Sequence, residues 1–146
     1  MLSQVWTNQS LTKSLYSDFL EPVCKKYRLT RMELDVLIFL ANNPQFTTAT
    51  DIVENRKLTK SHVSLAVNSL VKKGYLKKEY TKGNRKTTHL SILSSACDII
   101  QDGRDAQKNF ASVLFKDFAP EDHRQMIHYF ERITQNMQDY YKEGKH

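Results

Sequence analysis

A single change of period divides this sequence. Through most of its 146 residues apolar side chains recur every three or four positions, the spacing of one helix face. Only between Tyr75 and Ile92 does that pattern change. There Tyr75, Leu76, Tyr80, Thr87, Thr88, Leu90 and Ile92 are strand-favouring types, and Lys82-Gly83-Asn84 between them is turn chemistry. The pattern predicts one antiparallel hairpin in an otherwise helical chain. Four glycines and three prolines are too few for a long β-meander with many tight turns. The expected fold class is mainly α with a small antiparallel β-hairpin.

The helices are marked by their starts as much as by their faces. From Ser10 to Tyr27, Leu11, Leu15, Phe19, Val23 and Tyr27 recur at intervals of four, with Pro22 expected to kink the helix or end its regular part. Thr30-Arg31-Met32-Glu33 is a capping box, and the helix it opens runs out at Asn42-Asn43-Pro44. Gln45-Phe46-Thr47 reads as a short extended segment. Thr48-Ala49-Thr50-Asp51 repeats the box before a short helix, and Thr59 is expected to cap a longer one with Val63, Ala66, Val67, Leu70 and Val71. Lys73-Gly74 closes it, with cations at the negative end of the dipole and a glycine for the left-handed cap. Beyond Ser94, Ala96, Ile99, Ile100, Gly103, Ala106 and Phe110 mark a long helix. Pro120 opens a last one through Met126, Phe130, Ile133 and Met137. A short helix, a tight connection, a second helix and a hairpin make a winged helix-turn-helix, here with helical extensions at both termini. The length suits one domain, 1–146, with residues 29–93 as the winged core and 8–27 and 95–142 as the helical remainder.

Net charge is +6 with a pI near 9.3, and its distribution says more than its sum. Lys72, Lys73, Lys77, Lys78, Lys82, Arg85 and Lys86 are opposed only by Glu79. Such a stripe fits a polyanion, although a solvated hairpin would look the same on charge alone. The second helix of the motif puts Lys60, Ser61, His62, Ser64 and Asn68 off its apolar face, starting from Thr59. Taken alone these are an ordinary wet helix surface. Between a short helix and a basic hairpin, they become side chains able to reach base edges or phosphates in a major groove. Arg85 at the hairpin tip has the slim, permanent charge that suits a narrow minor groove, with Lys82 and Lys86 flanking it on phosphates.

At these residues the chain resembles the MarR family of transcriptional regulators. The likeness is carried by Asp51-Ile52-Val53, Leu58-Thr59-Lys60-Ser61-His62-Val63-Ser64, Leu70-Val71-Lys72-Lys73-Gly74-Tyr75-Leu76 and Asn84-Arg85-Lys86. It covers about Leu29 to Ala96; the flanking helices match in order and length. The two cysteines, read as buried thiols, lead us to expect a reducing cytoplasm, and the resemblance implies a homodimer whose first and last two helices, 8–27 and 95–142, form the dimerisation region. Leu11, Leu15, Phe118, Met126, Phe130, Ile133 and Met137 would supply its contacts. Two recognition helices would then read a pseudo-palindromic operator on double-stranded DNA, usually as a repressor. It also implies that Arg85 enters the minor groove and that Ser61, His62, Ser64 and Asn68 face the bases. Two departures stand out. Asn84 replaces the aspartate that usually precedes the wing arginine, and Ile92-Leu93-Ser94-Ser95-Ala96 preserves the family's signature after the second strand poorly.

Other chemistries find less support. No apolar run approaches the roughly 20 residues of a spanning helix, and no secretory signal opens the chain. No phosphate loop, nucleophile elbow or metal-hydrolase motif is present, so no enzyme is expected. His123 and His128 lie five apart, off the spacing of paired ligands, and neither metal nor cofactor is assigned. Cys24 and Cys97 sit in apolar helical patterns and read as buried thiols. The family's oxidant-sensing members make Cys24 a candidate redox thiol, for which Lys25 and Lys26 are no more than suggestive neighbours. The family also implies a small lipophilic or aromatic effector. Tyr16, Phe19, Tyr27, Phe39 and Phe110 could contribute to such a pocket, but aromatics at helical spacing are usually core. The rival class is a winged-helix protein-interaction or RNA-associated module that uses the hairpin as its docking surface.

Overall fold

The computed structural model describes residues 1–81 and 83–144, with the side chains of Thr81, Asn84, Arg85 and Lys86 outside the description. In order come α1 (Leu2–Tyr27), α2 (Arg31–Asn42), α3 (Ala49–Arg56), α4 (Lys60–Lys72), β1 (Leu76–Thr81) and β2 (Asn84–Ile92). A 3-10 turn (Ser94–Ala96), α5 (Cys97–Leu114) and α6 (Pro120–Glu143) complete the chain. The mainly helical chain with one hairpin is as expected. Two units are distinct, 1–111 and 112–146.

The first unit holds the core. Leu20 of α1, Leu34, Val36 and Leu37 of α2, Ile52 of α3, Val63 and Leu70 of α4, Leu76 of β1 and Ile99 of α5 are all essentially inaccessible. α2 and α3 each start where a polar side chain satisfies their orphan amides. The Thr30 hydroxyl accepts from the Glu33 amide at 3.1 Å, and the Thr48 hydroxyl accepts from the Asp51 amide at 3.1 Å. Asp51 in turn accepts from the amides of Thr47 and Thr48, both at 3.0 Å. Those amides, Thr48's first, hold the Asp51 carboxyl below its ordinary value. Thr59 occupies the N-cap of α4, but its side chain makes no capping bond, contrary to expectation.

α1 is longer than its apolar pattern suggested and does not end at Pro22. A mid-helix proline costs about 3 kcal/mol. Leu20, Val23 and Cys24 are buried on either side of it, and a large buried side chain returns about 1.5–3 kcal/mol. Burial therefore carries the helix through the proline. Arg28 then stops it in the left-handed conformation, at φ 54°.

β1 and β2 pair antiparallel with Leu76 opposite Ile92, Lys78 opposite Leu90 and Glu79 opposite His89. The register shifts between Tyr80 and Thr81, close to the turn. The segment before α3 joins this sheet through a Thr48–His89 bridge, and the Leu90 amide donates to the Thr47 carbonyl at 2.7 Å. The pairing with the sheet falls at Thr47 and Thr48, later than the expected Gln45-Phe46-Thr47, because Gln45 lies in a turn closed by the Phe46 amide on the Asn43 carbonyl; it ties the hairpin to the start of α3.

α5 approaches α2 where Gly103 leaves room: a Cβ there would lie 2.7 Å from Ile38 Cδ1. Cys97, expected to be buried, is exposed. Ala96, Ile99, Ile100, Gly103 and Ala106 define the buried stripe, and Cys97 lies about 100° round the helix from Ala96, outside it.

In the second unit α6 begins with Pro120 in its first turn, and Asp122 accepts from the Ala119 amide at 2.8 Å. Phe115, Phe118 and His123 pack ring to ring, with centroids 5.3–5.5 Å apart. No residue of α6 is buried, and Ile127, Phe130, Ile133, Met137, Tyr140 and Tyr141 are all more than half exposed.

Candidate nucleic-acid interface

α4 is held by one face. Val63, Ala66, Val67 and Leu70 are buried in the core. At 100° per residue, their opposite side is the ridge Ser61, Leu65, Asn68 and Lys72. Thr59, Lys60, Ser61, His62 and Asn68 are exposed and Ser64 is half-buried. Entry to α4 is set by Lys57, which closes α3 in the left-handed conformation at φ 52°, with its amide donating to the Val53 carbonyl. Leu58 donates to that same carbonyl at 3.2 Å, so the turn between the two helices is short and hydrogen-bonded.

The far end of α4 is fastened by a carboxylate. Glu33, only 5% exposed, accepts from Lys73 Nζ at 2.8 Å and from the Ser69 hydroxyl at 3.3 Å. Lys73 also donates to the Arg28 carbonyl at 3.0 Å. Burial pushes the Glu33 carboxyl up, but the Lys73 ammonium and the Thr30 donors outweigh it and leave the group below its ordinary value. The sequence disclosed Glu33 as a capping residue of α2. That the same side chain also clamps α4 needed a contact 40 residues away in the chain.

The hairpin reaches the exposed side of α4 through Lys78. Side chains alternate along β1, so Lys78 shares a face with Leu76, the residue that enters the core. One step past the core, that face brings the Lys78 ammonium to the Asn68 carbonyl oxygen, to which it donates. Bidentate adenine reading needs that oxygen as an acceptor, so here Asn68 is already partly engaged. Lys77 and Glu79, on the other face, pair at 3.5 Å. Of the wing residues singled out in the sequence, Lys82 lies outside the described residues, as do the side chains of Arg85 and Lys86. Leu65, 69% exposed at the middle of the α4 ridge, was not singled out at all. A periodicity search for apolar faces passes over an isolated apolar residue, which was its only signal.

His89 is engaged structurally: its Nδ1 lies 2.8 Å from the Thr47 hydroxyl. Cys24 is buried, and burial first, then Glu21, pushes its thiol up. A reactive cysteine needs the opposite shift and access, so the surroundings favour a packing role. Among the described residues no three His, Cys, Asp or Glu side chains gather as a metal site would require. No described helix is long and apolar enough to cross a membrane.

Residues 29–86, the segment from the start of α2 through the wing tip, match the model of the MarR family. The likeness in sequence to that family lies in the winged core. Solved structures extend the likeness in fold to the remaining helices. A Listeria monocytogenes protein assigned to the MarR family transcriptional regulators, complexed with a 26-mer DNA, superposes with a TM-score of 0.81 at 19% identity. That match covers all of this chain and 96% of the other. MepR of S. aureus, in a DNA complex, gives 0.73 at 14% identity over 90% of this chain and 96% of that one. BpsR of Bordetella bronchiseptica, whose DNA binding is regulated by 6-hydroxynicotinic acid, gives 0.70 at 8% identity over 92% of each chain. Curated protein sequences include no match to this chain.

Proposed function

We propose that this chain is a member of the MarR family, a homodimeric regulator of transcription that binds double-stranded DNA, with α4 in the major groove and the wing in the minor groove. The observation that carries the reading is the bond from Lys78 to Asn68, which joins the basic hairpin to the side of α4 turned away from the core. One duplex can then meet both. Thr59, Lys60, Ser61, His62 and Ser64 supply contacts at the start of α4, where the amides left without a side-chain cap favour a phosphate. Arg85 enters the minor groove, flanked by Lys82 and Lys86. The two DNA-bound structures of the same fold support this assignment by analogy.

Dimerisation rests on apolar surface left open in the protomer. α6 presents Phe130, Ile133 and Met137 at intervals of three and four, all more than half exposed, and α1 presents Leu2, Val5, Trp6 and Leu11. Such a stripe is more apolar surface than a monomer usually leaves wet. Two cores would then meet half-sites roughly 34 Å apart. Repression, with release by a small lipophilic or aromatic effector that alters the spacing of the cores, completes the reading. Regulation of BpsR by 6-hydroxynicotinic acid is an analogy for it.

A mobility-shift titration of the full chain on duplexes enriched from a random pool tests it. Specific binding is expected to weaken steeply between low and moderate salt, as phosphate neutralisation requires. Enrichment of single-stranded RNA in place of duplex, or of no nucleic acid, would defeat the reading.

A further inference from the structure

We propose that Leu65 is a specificity-determining residue that reads the C5-methyl group of a thymine in each half-site. The inference rests on the DNA-binding reading and adds a contact to it. Leu65 stands at the centre of the α4 ridge, one turn after Ser61 and one turn before Asn68, and is 69% exposed. It has no place in the core cluster, nor does it pack against that cluster as Val71 does. Its neighbours on the groove side, Ser61 and Ser64, are short, so the isobutyl group projects beyond both. Asn68, the next candidate reader along the ridge, has its carbonyl oxygen committed to Lys78. The middle of the ridge therefore offers an apolar tip ahead of any free amide.

The apolar group that projects into the major groove from a base pair is the methyl group of thymine; cytosine has only a flat C5–H at that place, and the other recognition groups are donors or acceptors. A leucine laid against a donor or acceptor would desolvate it without replacing its hydrogen bond. The side chain thus selects for thymine and against the other bases at that step. It makes no phosphate contact, so its contribution is independent of salt.

The test uses the full chain and the duplex that the parent protein enriches most from a random pool. Each thymine of that duplex is replaced in turn, symmetrically in both half-sites, by deoxyuridine, which lacks only the methyl. For the parent, one such paired replacement should weaken binding about tenfold to twentyfold, since each of the two methyls lost is worth about fourfold. Leu65→Ala should bind the unmodified duplex that much more weakly, be indifferent to the same replacement, and keep the parent's salt slope. Circular dichroism and the melting temperature of Leu65→Ala should match the parent's, because the side chain is outside the core. Equal sensitivity of both proteins to every deoxyuridine would overturn the assignment, as would parental affinity in Leu65→Ala, and in both cases DNA binding itself would stand. If the parent enriches no duplex at all, the DNA-binding reading fails and this inference with it.

Discussion

Arg85 and Glu33 carry opposite kinds of work in the same core. Arg85 is a wing residue whose role follows from family resemblance and from its place in the basic stripe. Arg85→Ala should weaken operator binding about tenfold, within the range for one specific arginine contact. Analytical ultracentrifugation should show an unchanged dimer, and parental affinity in the variant would remove Arg85 from the minor groove. Glu33 stabilises rather than binds. Its carboxyl is lowered on folding, so its contribution is fully present above the unfolded value of about 4.3 and is lost as pH falls through the folded value. Glu33→Gln should lower stability at neutral pH by about 2 kcal/mol, as loss of charged hydrogen bonds does. The same variant should flatten the acid side of the stability profile, measured as urea midpoints from pH 6 to pH 3. A parallel profile in both proteins would mean that another carboxylate dominates acid unfolding.

At the scale of elements, the local signals that were legible are those a few residues can satisfy alone. Both capping boxes form as their spacing suggests, at Thr30–Glu33 and Thr48–Asp51. Thr59 has no Glu or Asp three residues later, only His62, and its side chain is left uncommitted where DNA is proposed to dock. Gly103 shows the reverse dependence, because only the neighbouring helix explains it. A Cβ there would press on Ile38 Cδ1, a flexible tip that can yield to one methyl. Gly103→Ala should therefore stay within about 1 kcal/mol of the parent, since it also gains helix propensity. Gly103→Val cannot be absorbed that way and should cost about 2 kcal/mol through overpacking. Chemical denaturation of the two variants checks both figures, and a valine as stable as the alanine would show that α2 and α5 repack freely.

For the whole molecule, the open question is what covers the apolar stripe of α6. A second copy is the proposed cover. Ile133→Glu places a charge in the middle of that stripe, beside Phe130 and Met137. Light scattering after size exclusion should then report a monomer where the parent is a dimer at micromolar concentration. Operator affinity should fall by much more than for any single contact, because half-sites are no longer engaged together. A dimeric Ile133→Glu would relocate the interface.

What the sequence determined by itself was everything written in short-range order. Periodicity separated helices from hairpin, paired polar residues marked where helices start, and the clustering of lysines with Arg85 marked a basic wing. What only tertiary structure decided was whatever depends on which surfaces meet. Burial carried α1 past Pro22, and a turn of about 100° took Cys97 off its buried face. Glu33 found Lys73 across the core, and strand alternation delivered Lys78 to Asn68. Leu65 was left facing water on the ridge proposed to face DNA. Local rules assign each residue an angle on its own element, but only packing decides which angles face protein and which remain for a partner.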